Sequence, residues 1–303
     1  MTIIDAHQHF WRYNEREYDW MSENQGVLKR DHLPDELAGL MAAAGVGGTV
    51  AVQARRTLDE TSWLLELAAE HEFIRGVVGW VDFTAADLEA TLDRLSANPL
   101  LKGVRELIHD MPDPEYATSS THVAGVRAAG RAGLSYDLLL KPPHLEPATR
   151  LVDLLPEQRF VVDHIAKPDI ANGRASGRLE PWAGDICELA LRPNVYCKLS
   201  GLVTEANWEA WRPEDLAPYL DIVLDAFGTR RVMVGSDWPV CTCAADYGTT
   251  IDTAREYVMK LSDDEQRRVL AENASEFYRL AAPRTRPTPT GTPPASEESE
   301  PRR

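Results

Sequence analysis

The sequence opens "MTIIDAHQHFW", and in it His7 and His9 stand one residue apart at the end of a short apolar run, with Asp5 two positions before His7. Imidazoles in this spacing at a strand end suit two chemistries. Neutral ring nitrogens can hold a divalent ion, and either ring can carry protons near neutral pH. Further on, "DHIAKP" supplies Asp163, His164 and Lys167, and "GSDWP" supplies Asp237 and Trp238. An unbroken period of two places Asp5, His7 and His9 on one face of their strand. Singly, each residue has an ordinary explanation: a histidine bonded within the core, an aspartate capping the next helix, an Arg105–Glu106 neighbour pair of little energetic worth, or Lys167 and Lys198 reaching water. Jointly, His7, His9, His164 and Asp237 form a set that can bind one divalent ion or run acid–base chemistry without it.

Elements must bring these residues together. Eight short apolar runs recur along the chain: "IIDAHQHF", "GTVAVQA", "IRGVVGWVDF", "LLKGVREL", "LSYDLLLKP", "RFVVDHIAKP", "NVYCKLSG" and "RVMVGSDWP". Several are nearly continuous in Val, Ile, Leu and Ala, as strands covered on both faces are. Between them lie amphipathic stretches with helix-start signals, such as Thr57–Glu60 and Ser262–Glu265 as capping boxes, and Pro34 early with Gly45 late in "PDELAGLMAAAG". Eightfold strand–helix alternation predicts an α/β fold, a (β/α)8 barrel occupying residues 1–282 as one domain. A doubly wound sheet would bring a glycine-rich turn after the first strand, and "HQHFW" stands there instead. Barrel chemistry sits at the C-terminal strand ends. There the runs place Gln53 on strand two, Trp80 on three, Arg105 on four, Lys141 on five, His164 on six, Lys198 and Ser200 on seven, and Asp237 on eight.

Composition narrows the partners. Net charge is −16, which disfavours nucleic acid and anionic membrane as main partners. No apolar run is long enough to span a bilayer, and no secretory signal pattern precedes His7. The four cysteines, Cys187, Cys197, Cys241 and Cys243, are too few and scattered for a disulfide framework, so reduced thiols in a cytoplasm are expected. Residues 283–303, rich in Pro, Ser, Thr and charge, read as a disordered tail. No heptad or apolar strip indicates an oligomeric state.

Several segments carry a resemblance. "DAHQHFW" and "VGSDWP", with "YDW" at Tyr18–Trp20, "VVGWVDF", "KGVR", "DHIAKP", "NVYCKLSGLVTEANW" and "GSDWPVC", look like the sugar-lactonase branch of the amidohydrolase superfamily, the L-fucono-1,5-lactonase and L-rhamnono-lactonase group. The resemblance runs from about Ile3 to Leu280. It implies a distorted (β/α)8 barrel that hydrolyses the ring ester of a sugar aldonolactone, L-fucono-1,5-lactone or a close stereoisomer, in L-fucose catabolism. The matching site residues are His7, His9, Arg105, His164 and Asp237. Binuclear relatives use a carboxylated lysine late in strand four and a histidine on strand five. This chain has Arg105–Glu106 and Lys141 there, with no histidine before His144. One divalent ion, zinc, held by His7, His9, His164 and Asp237, or none, are both open.

In that reading Asp237 takes a proton from water, and His7, His9 and His164 serve the carbonyl directly or through an ion. Arg105 orients a hydroxyl or the product carboxylate through its planar fork. Lys167, Gln53 and Trp238 are further substrate contacts, and Trp11 and Trp80 offer faces for a sugar ring. Two rivals stand beside it: a metal-dependent decarboxylase of an aromatic or unsaturated acid, and a barrel that binds a sugar acid without turnover.

Overall fold

The apolar runs form eight strands, buried along nearly all their residues: β1 (Ile3–Gln8), β2 (Val46–Val52), β3 (Ile74–Gly79), β4 (Leu101–Glu106), β5 (Ser135–Leu138), β6 (Phe160–Val162), β7 (Val195–Leu199) and β8 (Val232–Val234). The computed structural model describes residues 2–176 and 179–281, and the tail expected over 283–303 lies outside them. Strands pair in parallel in chain order, with Arg105 opposite Asp137 and Lys198 opposite Met233. Between β8 and β1 the contact narrows to a Gln8–Trp238 bridge. There His9 N donates to Trp238 O at 2.7 Å and Asp237 N donates to His7 O at 2.8 Å. This weak seam is what makes the (β/α)8 barrel a distorted one.

Two apolar layers hold it. Inside lie Ile4, Ala6, Val50, Val78, Val161 and Met233, packed with Phe277 and Tyr278 of the C-terminal segment. Lys102, near the start of β4, donates to Arg279 O, so that segment covers the N-terminal end of the barrel. The larger layer lies between strands and helices. No helix among the described residues is long and apolar enough to cross a membrane.

The helix signals act mostly as expected. Pro34–Ala44 ends at Gly45 with φ +69°, a left-handed position that glycine adopts at no steric cost. Ser262 and Glu265 form the reciprocal capping box. At Thr57 only half the box forms. The hydroxyl accepts from Glu60 N, but the buried Glu60 carboxylate turns back to accept from Ala54 N at 2.9 Å and Arg55 N at 2.7 Å. That interaction shapes the loop after β2.

Strands end earlier than the apolar runs suggest. β5 stops at Leu138 rather than Lys141, β6 at Val162 and β8 at Val234, so Asp163 and His164 fall in a short 3-10 turn, Asp163–Ala166, and Asp237 in a loop. After β6 and β8 the reason is local. His164, Ile165, Ala166 and Lys167 have φ of +53°, +47°, +61° and +50°, and Asp237 has +58°, a backbone that cannot continue a ladder.

The alternation along β1 is also broken. Its register against β2 shifts between Asp5 and Gln8, the mark of a β-bulge. Ile4 and Ala6 belong to the inner layer, whereas Asp5 faces Tyr247 of the outer helix Tyr247–Val258. After the bulge His7 turns inward. Asp5 therefore does not share the face of His7 and His9, and the single-face expectation is corrected.

Candidate active site

The bulge and the left-handed loops bring four side chains to one point. His7 Nε2 and His9 Nε2 lie 3.2 Å apart. Asp237 Oδ1 lies 3.4 Å from His9 Nε2, 3.8 Å from His7 Nε2 and 3.7 Å from His164 Nε2. His9 Nδ1 bonds Val52 O at 2.8 Å. A carbonyl only accepts, so Nδ1 carries a proton and Nε2 is the nitrogen turned to the site. His164 Nδ1 is tied to Ser200 Oγ at 2.9 Å.

Burial governs the charge states. It pushes the His7 and His164 imidazoles well below their ordinary range, so both are neutral near pH 7. For Asp237 burial works the other way and would raise the carboxyl, but the surrounding His164, His9 and Lys167 overcome it and hold it at about 2. The result is an ionised carboxylate beside the neutral rings of His7 and His164.

Behind His7 stands a buried ionic group. Its Nδ1 lies 3.2 Å from Asp163 Oδ1 and 3.1 Å from Lys198 Nζ. Asp163 Oδ2 accepts from Arg105 Nη1 at 2.8 Å, and the same Nη1 is 3.3 Å from His7 Nε2. Burial would raise Asp163, yet Lys198, His7 and Arg105 hold its carboxyl well below the usual carboxylate range. Lys198 does not reach water: it is fully buried.

A cavity of about 260 Å³ opens over this cluster. Of the residues expected from sequence, His9, Arg105, His164, Lys167 and Asp237 line it, and His7 lies beneath them with no exposed surface. Lys167 Nζ is paired with Glu205 at 2.8 Å. Two expected substrate contacts do not reach the cavity. The Gln53 amide is spent on Arg105, accepting from Nη2 at 3.1 Å, and Trp238 is packed against Phe10 and His32. Trp80 donates to Glu106 at 3.1 Å instead of facing the cavity. Trp11 does line it, joined by Trp20, which is 42% exposed, and by the His109–Asp110 pair at 3.1 Å. These three were not singled out. Trp20 sits on a long loop after β1, and His109 and Asp110 sit three and four residues beyond the end of β4, where no local pattern predicts direction. "YDW" was the available signal for Trp20.

The amidohydrolase family pattern matches residues 4–280. The chain belongs to the amidohydrolase family. This amidohydrolase is 37% identical over 286 residues to an L-fucono-1,5-lactonase of Burkholderia ambifaria, covering 92% of this chain and 96% of the relative. It is 38% identical over 287 residues to an L-fucono-1,5-lactonase of Burkholderia multivorans, covering 92% and 97%. A crystal structure of an amidohydrolase from Burkholderia multivorans with bound zinc superposes with a TM-score of 0.88, at 38% identity over 93% of this chain and 100% of that one.

The donor set fits such an ion. His7, His9 and Asp237 offer one ligand atom each within 4.8 Å of one another, and so do His7, Asp163 and His164. The separations of 3.2, 3.4 and 3.8 Å bracket the edge of a tetrahedral zinc site, about 3.4 Å for bonds of about 2.0–2.1 Å. Three imidazole nitrogens and one ionised carboxylate oxygen converging on one point are the donor chemistry that zinc takes.

Proposed function

We propose that this amidohydrolase is a lactonase that opens the ring ester of a sugar aldonolactone to the aldonic acid, with L-fucono-1,5-lactone the leading substrate. One observation carries the reading: an ionised Asp237 ringed by three imidazoles at a cavity floor, in a chain alike along 92% of its length to proteins named L-fucono-1,5-lactonase.

His7, His9, His164 and Asp237 are the residues that would hold a divalent ion such as zinc, which when bound polarises a carbonyl and acidifies water. Asp237 accepts a proton as water oxygen adds to the lactone carbonyl carbon. The tetrahedral adduct collapses with cleavage of the ring C–O bond, and Asp237 returns its proton to the departing alkoxide. Arg105, fixed by Asp163 and Gln53, and Lys167, fixed by Glu205, present positive charge to the hydroxyls and to the carboxylate formed. Trp20 and Trp11 supply the apolar wall against which one sugar face packs. On this reading residues 1–282 act as one catalytic unit in the cytoplasm, with all four cysteines free.

The test is acid release, followed with a pH indicator, from a panel of five- and six-membered aldonolactones. Turnover concentrated on L-fucono-like lactones is expected. No turnover across the panel, with carbon dioxide released from an aromatic acid, would replace the reading by the decarboxylase. Tight binding of an aldonic acid without any turnover would replace it by the binding barrel.

A further inference from the structure

Beneath the site the barrel interior holds a chain of polar groups, of which Lys198, Asp137 and Tyr278 have no part in the hydrolytic scheme. Tyr278 Oη donates to Asp137 Oδ2 at 2.6 Å. Lys198 Nζ donates to the same oxygen at 2.6 Å and to Asp163 Oδ1 at 2.8 Å. Asp163 Oδ1 then meets His7 Nδ1 at 3.2 Å. Lys198, Asp137 and Asp163 are all fully buried. Burying an ammonium and two carboxylates is expensive, and apolar side chains of similar volume would fill the space at less cost. Stability therefore does not account for the arrangement.

Its geometry does. Asp163 is held at both oxygens, Oδ2 by Arg105 and Oδ1 by Lys198, so the carboxylate cannot rotate. When His7 Nε2 donates its lone pair to a cation, Nδ1 carries the ring proton and needs an acceptor. Asp163 Oδ1 is that acceptor: Lys198 Nζ, 3.1 Å from the same Nδ1, has only protons to offer, and it serves the ring by setting the position of Asp163. Asp137 and Tyr278 anchor the lysine in turn, and the ammonium lies 5.4 Å from the Tyr278 ring centroid.

We propose that Lys198 is a positioning residue for the metal-binding imidazole of His7, acting through Asp163. This rests on the metal-assisted form of the lactonase reading. A partner that orients a metal-ligating histidine typically contributes about 10-fold to 100-fold in metal affinity.

Zinc affinity is measured by chelator competition on the full chain stripped of metal, for wild type, Lys198→Met and the charge-balanced Lys198→Met/Asp137→Asn. The double variant removes one positive and one negative charge together, so it keeps Asp163 paired with Arg105 if the single variant fails to fold. The expected result, in a variant with wild-type melting temperature, is zinc affinity lowered about 10-fold to 100-fold. On L-fucono-1,5-lactone, kcat falls while KM stays within about twofold, a split that loss of packing alone would not produce. The visible spectrum of the cobalt-substituted protein changes as well. A folded variant with wild-type zinc affinity overturns the proposal. So does a wild-type chain that takes up no zinc, or failure of both variants to fold, which would assign the network to stability. Absence of lactone turnover with zinc affinity still dependent on Lys198 would instead remove the lactonase reading.

Discussion

The Asp5 carboxylate on β1 accepts two hydrogen bonds from Ser236 beyond β8, one from the backbone N–H at 2.8 Å and one from the hydroxyl at 2.7 Å. Tyr247 Oη donates to it at 3.2 Å and His7 N at 3.2 Å. Asp5 thus fastens the seam where the ladder fails, one residue before Asp237 and two before His7. Burial raises its carboxyl to about 6, against these hydrogen bonds. Between about pH 4 and 6 the native state keeps a proton that the unfolded chain releases, so this group's stabilising contribution is full below about pH 4 and is lost as pH rises through 6. Asp5→Asn cannot ionise, and its amide can still accept from Ser236 N. Its stability relative to wild type is expected to rise by up to about 3 kcal/mol between pH 4 and 7, read by denaturant unfolding at each pH. A pH-independent difference would show that Asp5 does not titrate in this window.

Gly201 fixes His164 from behind. It has φ +65°, and a Cβ there would lie 2.6 Å from His164 Nδ1. The His164 ring is held by Ser200 Oγ at 2.9 Å and packs 4.4 Å from the His7 ring, so it has little room to yield. Gly201→Ala is expected to destabilise the protein by about 1–3 kcal/mol and to lower kcat more than about tenfold. Ser200→Ala, which removes only the 2.9 Å contact to Nδ1, should be milder on both. Thermal unfolding and steady-state kinetics on the two variants decide the order.

Much of this was legible in the chain because it depends on local pattern. Apolar runs and caps such as Ser262–Glu265 announce the barrel, and strand-end His7, His9, His164 and Asp237 announce the site. What escaped depends on contacts between distant segments. Period-two counting assumes an unbroken ladder, so the bulge after Asp5 that turns His7 inward defeats it. Gln53 and Trp238 stand at the predicted level, but Arg105 and His32 claim their side chains. Lys198 reads as an exposed lysine because the carboxylates that make its burial tolerable come from β5 and from the loop after β6.

Metal removal should abolish turnover, and stoichiometric zinc should restore it. The pH dependence of zinc binding tests the site's electrostatics. Burial holds His7 and His164 well below the ordinary imidazole value, so at these two ligands protons compete poorly with the ion in mild acid. Two imidazoles with ordinary values near 6.5 would together lose roughly 100-fold in affinity between pH 7.5 and 5.5. Competition titrations should show a loss well short of that. A full hundredfold loss would mean that burial does not depress these rings.

Trp20 is an exposed indole at a cavity edge, T-shaped to Trp11 at 6.1 Å, on a loop whose ends are joined by the Trp11–His32 backbone pair. Glu17 and Tyr18 of that loop grip Arg55 by an ion pair and a cation–π contact. An apolar wall binds ground state and transition state alike. Trp20→Ala should therefore raise KM about tenfold with kcat within about twofold and the melting temperature unchanged. A fall in kcat at constant KM would place Trp20 in loop closure rather than in substrate packing.

Asp237 carries the heaviest assignment. Its carboxyl, at about 2, is ionised throughout the working range, and its Oδ1 lies within 3.8 Å of three imidazole nitrogens. Asn at this position keeps the shape and one acceptor oxygen but cannot take a proton. Removal of a general base typically costs about 10²–10⁴ in rate. Asp237→Asn should lose that much kcat under saturating zinc, while unfolding at the wild-type temperature. Because weaker metal binding could also lower the rate, zinc content is measured on the same sample. A zinc-replete Asp237→Asn protein with unchanged kcat would move the proton-accepting role to another group, and the imidazoles of His9 and His164, 3.4 and 3.7 Å from Asp237 Oδ1, are the nearest alternatives on the cavity wall.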